Sequence, residues 1–259
     1  MVVYTEAEID AVVKVMREAC GQTQGKYMVE FEQAFCAFTG AKHAFAVNNC
    51  TSALKMAAIF CHIQPGDEVI IPAYTFCASA IPFGDLGVKI VWADINPDTW
   101  TIDPDDIARK ITPKTKAVVC VHLLGMPCDM KKIVPIARAH GLKVVEDCAQ
   151  AHDAEYCGQK VGTFGTMGFF SFYPTKNLGA FGDAGAILTD DAALRDKLRA
   201  LRNYGSVKRY QNDYEGFNSR LDELQAGLLR VRLSHLDELT AQRRAIAQRY
   251  LTEIRNPRI

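Results

Sequence analysis

Hydrophobic and polar positions along roughly the first 200 residues follow two alternating patterns. Short apolar runs are typical of buried strands, and we predict such strands at residues 44–47, 68–71, 89–92, 117–121, 142–145, 169–172 and 186–188. Between them, amphipathic stretches predict helices at residues 27–38, 51–60, 75–83, 104–111, 130–140 and 192–203. Strands that alternate with helices in this way indicate an α/β protein with a largely parallel sheet.

The two ends of the chain add helices to this pattern. Thr5 and Glu8 form a capping box, which predicts a helix with an apolar face made of Ile9, Val12, Val13 and Met16. Residues 220–254 predict one long amphipathic helix, whose apolar face comprises Leu221, Leu224, Leu228, Val231, Leu236 and Leu239. That helix ends before Asn256 and Pro257, and we expect a further C-terminal segment after it.

Composition and charge narrow the class of protein. Hydrophobic residues make up 49% and charged residues 23% of the 259 positions, a balance typical of an ordered globular protein rather than a disordered one. Thirty basic and thirty acidic residues cancel, so we expect neither nucleic acid nor a membrane as a partner. The acidic N-terminus and the lack of an apolar run of about 18 residues predict a cytoplasmic location.

Cysteine and histidine spacings argue against disulfides and metals. The nine cysteines are an odd number without a CxxC pair, in a chain too long to depend on disulfides, so we expect reduced thiols that lie mostly in the core. The six histidines lack paired ligand spacing such as HExxH, so we expect no metal site.

Polar residues follow two of the predicted strands, where ligands of open α/β sheets bind. Residues 48–52, with sequence NNCTS, lead from a strand into a helix, and this helix start is either a phosphate site or a plain N-cap. Glu146 and Asp147 follow another strand. A buried Asp147 requires a cationic or hydrogen-bonding partner, and it serves either a ligand or the local backbone amides.

Two further positions suit an active site. Lys176 lies between an aromatic strand and a glycine-rich loop, where partial desolvation would favour the neutral amine that attacks a carbonyl; a solvated surface lysine is the alternative. Phe76 lies at a strand-to-helix turn, where it either covers a flat ring or belongs to the core. A phosphate cradle, an aromatic lid, a carboxylate and a lysine are together the groups that pyridoxal 5′-phosphate requires.

Four segments that carry these groups closely resemble the DegT/DnrJ/EryC1/StrS family, which consists mostly of sugar-nucleotide aminotransferases. They are residues 66–76, 145–152, 171–178 and 216–226, and the resemblance extends in order along nearly the whole chain. It implies a fold type I, aspartate aminotransferase-like α/β protein with a mostly parallel mixed sheet. Residues 1–218 would form the large cofactor-binding domain, and residues 219–259 a long helix leading to a small C-terminal domain that is largely missing.

The resemblance also implies a role for each matching residue. Lys176 would bind the aldehyde of pyridoxal 5′-phosphate and transfer the substrate proton, and Asp147 would keep the pyridine nitrogen protonated. Phe76 would stack on the ring and Gln150 would contact it near its hydroxyl. The phosphate would be held by Thr51, Ser52 and Ser171, and by Asn218 of the second subunit. The family therefore implies a homodimer with shared active sites.

Three departures from the family pattern bear on the site. Cys50 stands where the family usually has glycine, and we expect weaker cofactor binding because its side chain crowds the phosphate turn. Asp153 also replaces a common glycine, and Asp183-Ala184 replaces Glu-Gly. Lys176 itself argues against the related dehydratase branch, in which histidine replaces the lysine.

The resemblance implies a ping-pong reaction in which an amino acid, commonly L-glutamate, donates its amino group to a keto-sugar nucleotide. Residues 203–220 look most like the branch that acts on dTDP-3-keto-6-deoxyhexoses. Residues 195–209 carry a formal charge of +5, which suits either the substrate diphosphate or a solvated helix face. Two alternatives stay open: amination of a cyclitol ketone (an inosose), and a truncated, non-catalytic module.

Overall fold

The computed structural model describes residues 4–18 and 21–256. Its strands are β1 (His43–Val47), β2 (Glu68–Pro72), β3 (Lys89–Ala93), β4 (Thr115–Val121), β5 (Lys143–Asp147), β6 (Glu155–Tyr156), β7 (Gln159–Lys160), β8 (Met167–Ser171), β9 (Gly185–Thr189), β10 (Ser206–Lys208) and β11 (Gln211–Asn212). Its helices are α1 (Glu6–Glu18), α2 (Lys26–Thr39), α3 (Cys50–Phe60), α4 (Ile81–Gly84), α5 (Pro104–Lys110), α6 (Met130–Ala139), α7 (Ala192–Leu201), α8 (Glu223–Ser234) and α9 (Leu236–Glu253).

A mixed sheet of seven described strands lies at the centre, in the order β1-β9-β8-β5-β4-β2-β3. The pairs β2–β3, β2–β4, β4–β5 and β5–β8 are parallel, whereas β9 runs antiparallel to β1 and to β8. The prediction of a mostly parallel mixed sheet is therefore confirmed. Parallel pairing brings the carboxyl ends of β2, β4, β5 and β8 to one edge of the sheet.

Helices cover both faces of the sheet and enclose separate cores. Residues of α3, α4 and α7 pack on one face, against Val69, Ile71 and Val119 among others. The opposite face is covered near β1, β8 and β9 by α1, α2 and α8, and near β2, β4 and β5 by α5 and α6. Central strands buried on both faces explain why their sequences are continuous apolar runs.

A carboxylate from the start of α8 caps α2. The Glu223 side chain accepts hydrogen bonds from the backbone N–H groups of Gly25, Tyr27 and Met28, at 2.9, 2.8 and 3.2 Å. These N–H groups have no partner within their own helix, and the negative charge suits the positive end of the helix dipole. A contact spanning almost 200 residues of sequence thus attaches α8 to the N-terminal helices.

The structure corrects three helix predictions. Residues 75–83 do not form one helix: a single 3-10 turn, Cys77–Ser79, precedes the short α4, in which Pro82 restricts the backbone. The predicted helix over 220–254 is broken at His235 into α8 and α9, and Leu224 of its predicted apolar face is exposed. In α1 the capping box is present, but Ile9 and Met16 are exposed.

The buried face of α1 consists instead of Glu8 and Val15, because α1 packs on α8. Val15 lies against Gly227, and Glu8 makes a 2.6 Å ion pair with Arg232. Among the described residues, no helix combines the length and the apolar character that crossing a membrane demands. Cys20 and Pro257, which the sequence analysis singled out, lie outside the described residues.

Candidate active site

A cavity of about 430 Å³ opens at the carboxyl ends of β4, β5 and β8. Its walls include six of the eight predicted site residues: Thr51, Phe76, Asp147, Gln150, Ser171 and Lys176. Within the part of the chain that the structure describes, Ser52 and Asn218 do not line this cavity. The fold thus brings the predicted carboxylate and the predicted lysine to one ring-sized space.

Asp147 is the last residue of β5 and its side chain is buried. The Ser79 hydroxyl donates to Asp147 Oδ2 at 2.7 Å, and the Ala149 backbone N–H donates to Oδ1 at 3.0 Å. Ser79 also lies 2.8 Å from the Thr75 hydroxyl oxygen. These hydrogen bonds are the partners that a buried carboxyl group requires.

The start of α3 forms another wall. Asn49 is the N-cap, since its side-chain oxygen accepts from the Ser52 backbone N–H at 2.7 Å. Ser52 thereby serves the cap, while Asn49, Cys50 and Thr51 face the cavity. A Cβ on Gly185 of β9 would lie 2.8 Å from the Cys50 backbone nitrogen, so only glycine allows this approach of strand and helix start.

Cys50 is buried at this turn. Burial raises the pKa of its thiol well above the ordinary value, and the negative charge of Asp147 acts in the same direction. Cys50 is therefore a neutral thiol at the start of α3. Its side chain takes up space in the cavity wall that glycine would leave free.

Lys176 lies on the loop between β8 and β9, residues 172–184, and is half-buried. Its ammonium makes no hydrogen bond or ion pair with the residues described. Two side chains of α8 fix the loop around it. Gln225 donates to the Phe181 carbonyl at 2.6 Å and accepts from the Phe181 N–H at 2.8 Å, and Arg232 donates to the Gly179 carbonyl at 2.7 Å.

Phe76 and Gln150 lie at the edges of the cavity. The Phe76 ring is 69% exposed, so the core interpretation of this residue is wrong and a surface free for a flat ligand remains. The Gln150 side-chain oxygen accepts from the Leu124 backbone N–H at 2.8 Å, which leaves its NH₂ group available.

Glu146 points away from this cavity and organises the surrounding loops. Its carboxylate accepts from the backbone N–H groups of Gly162, Phe164 and Gly165 at 2.8, 2.8 and 2.6 Å, and lies 3.0 Å from His122 Nε2. His122 Nδ1 accepts from the Cys128 N–H, so Nε2 carries the ring proton.

These groups make a poor metal site. His122, Glu146 and Cys148 are close enough to ligate one ion, but the four hydrogen bonds occupy both Glu146 oxygens and His122 Nε2. Their geometry is that of a structural network, which fixes the backbone beside Asp147.

Asp153, which replaces a common glycine of the family, has a positive φ of 67°, in the left-handed region that glycine adopts without strain. Aspartate is one of the few other residues that tolerate this conformation. Its carboxylate also pairs with Lys160, which holds it in place.

The basic residues of 195–209 do not form one cluster. Arg202 is buried and pairs with Glu32, and Arg195 pairs with Asp196. Arg199, Lys208 and Arg209 line a separate depression of about 680 Å³ beside the β10–β11 hairpin. Of the six basic residues considered for the substrate diphosphate or a solvated helix face, Arg202 fits neither alternative, because it is buried and donates to the Ala46 carbonyl at the sheet edge.

Known transaminases of dTDP-linked sugars are similar to this chain in sequence. The chain is 44% identical to dTDP-3-amino-3,4,6-trideoxy-alpha-D-glucose transaminase of Streptomyces venezuelae, over 95% of the chain and 65% of that relative. It is 46% identical to dTDP-3-amino-3,6-dideoxy-alpha-D-galactopyranose transaminase of Aneurinibacillus thermoaerophilus, over 97% of the chain and 69% of the relative. The chain thus spans about two thirds of the length of these proteins.

Structure comparison gives the same grouping. The crystal structure of S. venezuelae DesV in complex with a ketimine intermediate superposes with a TM-score of 0.91 at 43% identity, covering 95% of this chain and 66% of that one. The DegT/DnrJ/EryC1/StrS aminotransferase family model matches residues 3–258. The chain belongs to the DegT/DnrJ/EryC1/StrS aminotransferase family.

Proposed function

We propose that the chain carries the cofactor site of a pyridoxal-phosphate-dependent aminotransferase, which transfers an amino group from an amino acid to a keto-sugar nucleotide. One observation carries the proposal: Asp147 and Lys176 line the same cavity, with an exposed aromatic ring at its edge and a helix start in its wall. The chain spans about two thirds of the length of its relatives. The activity of the whole protein is therefore part of the proposal.

The residues present fit pyridoxal 5′-phosphate. The cavity has apolar walls from Leu54, Val121 and Leu123, which suit a flat ring, and the Asp147 carboxyl group also lines it. Thr51 and Ser171 supply hydroxyl groups, and the start of α3 supplies the positive end of a helix dipole for the phosphate. The unpaired ammonium of Lys176 completes the set.

Each side chain has a role that follows from its chemistry. Bound pyridoxal 5′-phosphate supplies an electron sink for bonds at the amino-bearing carbon. Asp147, held by Ser79 and Ala149, would keep a proton on the ring nitrogen. Lys176 would hold the aldehyde and, when free, move a proton at the substrate carbon. Phe76 would exclude water from one ring face, and Gln150 would orient the ring hydroxyl.

Ser52 and Asn218 remain proposed phosphate ligands, with Asn218 acting from the second subunit of a homodimer. The exposed position of Asn218, outside the cavity of its own chain, supports this assignment. We further propose residues 1–218 as the large domain and residues 219–259 as the start of a second one. The nearly uncovered α9, in which Leu236 is the one buried residue described, supports that division.

The substrate class and the location are also proposed. The names of two relatives as transaminases of dTDP-linked 3-amino sugars support a dTDP-3-keto-6-deoxyhexose as the acceptor. L-glutamate is the proposed donor. The eight free cysteines of the described residues, five of them buried, support a reducing compartment, and we propose the cytoplasm.

Borohydride trapping tests the cofactor site. With pyridoxal 5′-phosphate the protein should turn yellow, and after reduction a mass spectrum should place one pyridoxyl group on the peptide that contains Lys176. Lys176→Ala should abolish both signals, whereas Lys132→Ala, at an exposed lysine of α6, should leave them unchanged. Label spread over several surface lysines would contradict the proposal.

Adding glutamate then separates catalysis from binding. Bleaching of the yellow colour supports the aminotransferase, and colour that persists favours a non-catalytic module. Comparing a keto-sugar nucleotide with an inosose as the amino acceptor distinguishes the sugar reaction from cyclitol amination.

A further inference from the structure

A second cavity, of about 460 Å³, adjoins the first at Lys176. Gln150, Thr175 and Lys176 line both cavities, and the second one extends from the lysine loop towards α9. Its walls also include His152, Thr240 and Arg244. None of the residue roles proposed above uses this space.

His152 is a buried polar residue on its wall. The imidazole lies between the rings of Phe170 and Phe172, with ring centroids 5.6 and 5.7 Å away. Neither ring nitrogen makes a hydrogen bond of normal geometry with the residues described, although the Ser171 backbone lies close enough to influence the imidazole, and the Thr240 hydroxyl likewise makes none. Such groups each cost about 1–3 kcal/mol when left without a partner. Their presence on a cavity wall therefore points to a polar ligand.

The protonation state of His152 determines which hydrogen bonds its ring can make. Burial lowers the pKa of His152 to about 4; the nearby Ser171 backbone opposes this shift, and the positive charges of Lys176 and Arg243 add to it. The imidazole is thus neutral at pH 7, with one N–H donor and one lone-pair acceptor. Its N–H group can therefore donate a hydrogen bond to an anion.

The charges around the cavity favour an anion. Arg244 brings a cationic group that has no ion pair with any residue in the described ranges, and Lys176 adds a second one when its amine is not bound to the aldehyde. The acidic residue on the wall, Asp153, is already neutralised by its ion pair with Lys160. Unpaired cations beside neutral donors suit a carboxylate.

We propose that this cavity binds a carboxylate group of the amino-acid donor, with Arg244 as its counter-ion and His152 as a neutral hydrogen-bond donor. The inference rests on the proposed function, because an aminotransferase must place its donor beside the lysine. A dicarboxylic donor places one carboxylate here while its amino group faces the first cavity.

Calorimetry of the 259-residue chain with glutarate, an unreactive dicarboxylate, tests the proposal. Arg244→Gln should weaken glutarate binding about tenfold, the loss expected for one charge-assisted hydrogen bond. Arg249→Gln removes the same charge from an exposed position of α9 that does not line the cavity, and should change the affinity less than about twofold. Equal effects of the two variants, or no glutarate binding, would overturn the proposal.

A second variant and a competing ligand test the proposal further. His152→Phe, which retains the aromatic packing, should weaken glutarate about threefold or more, and its thermal unfolding checks that it folds. Pyrophosphate is the competing probe: tighter, Arg244-dependent binding of pyrophosphate would assign the cavity to a phosphate instead. Borohydride labelling of Lys176 in the same preparations reports on the proposed function separately, because labelling needs neither glutarate nor Arg244.

Discussion

His152 carries a consequence for stability as well as for binding. In the unfolded chain its pKa is about 6.5, whereas burial lowers the pKa of His152 to about 4 in the folded protein. As the pH falls below 6.5, the unfolded chain takes up a proton that the folded chain refuses until about pH 4. The free energy of unfolding is therefore unaffected above pH 6.5 and decreases between 6.5 and 4.

The expected loss from this residue is about 3 kcal/mol at pH 4. Urea unfolding at pH 7 and at pH 4.5 measures the free energy of unfolding. Between these two pH values it should decrease less in His152→Phe than in the wild type, by about 2 kcal/mol. His140→Phe alters an exposed histidine and should retain the wild-type dependence. Identical pH profiles for wild type and His152→Phe would contradict the prediction.

For single residues, the sequence predicts charged site residues better than their neutral partners. Asp147 and Lys176 could be proposed because a carboxylate after a buried strand and a lysine in a glycine-rich loop need an explanation. Ser79 was missed, since a serine in an apolar stretch gives no such signal and its hydrogen bond to Asp147 spans 68 residues of sequence. The orientation of Glu146 away from the cavity follows from strand alternation, which places Glu146 and Asp147 on opposite faces.

Between elements, the contact of greatest functional interest joins α8 to the lysine loop. Gln225 pairs with both backbone groups of Phe181, five residues after Lys176. In Gln225→Ala both hydrogen bonds are lost, so the loop should open more often. Hydrogen–deuterium exchange at the Phe181 amide should accelerate about tenfold or more, from the loss of about 1–3 kcal/mol.

Leu224→Ala is the matched control, because Leu224 precedes Gln225 on the same helix and is exposed. In this variant, hydrogen–deuterium exchange at the Phe181 amide should equal that of the wild type within about twofold. Unchanged exchange in Gln225→Ala would show that Arg232 and the glycine-rich backbone hold the loop without Gln225.

Element boundaries were predictable where local chemistry defines them and not where tertiary contacts do. The capping box of α1 follows from Thr5 and Glu8 alone, but its buried face depends on Arg232 and Gly227 of α8, which no local pattern reveals. The break at His235 is similar: helical periodicity continues through residues 220–254, although Leu236 is buried while residues 241–253 of α9 are exposed. Periodicity alone does not reveal such a break.

For the whole molecule, the proposed homodimer makes a quantitative prediction. If Asn218 completes the site of its neighbour, a dimer formed from one Lys176→Ala and one Asn218→Ala subunit has one intact site and one with both changes. Co-expressing the two variants in equal amounts should restore about a quarter of the wild-type activity with glutamate and a keto-sugar nucleotide. Co-expression that yields only the average of the separate variants would exclude a shared site.

The central sheet could be predicted from the sequence only in part. A mostly parallel α/β sheet follows from alternating elements, but the strand order and the antiparallel direction of β9 do not, because they depend on pairings between distant segments. Family resemblance supplied the mixed sheet where local pattern could not.

The antiparallel pairing of β8 with β9 has a practical consequence. Ser171 and Gly185 face each other across the two strands, so the segment that carries Lys176 leaves and re-enters the sheet at adjacent points. Such a hairpin can be transplanted as a unit, since its ends stay about 5 Å apart whatever lies between them. Grafting residues 172–184 from a dehydratase of the same family would exchange the reactive side chain together with its surroundings and leave the rest of the scaffold in place.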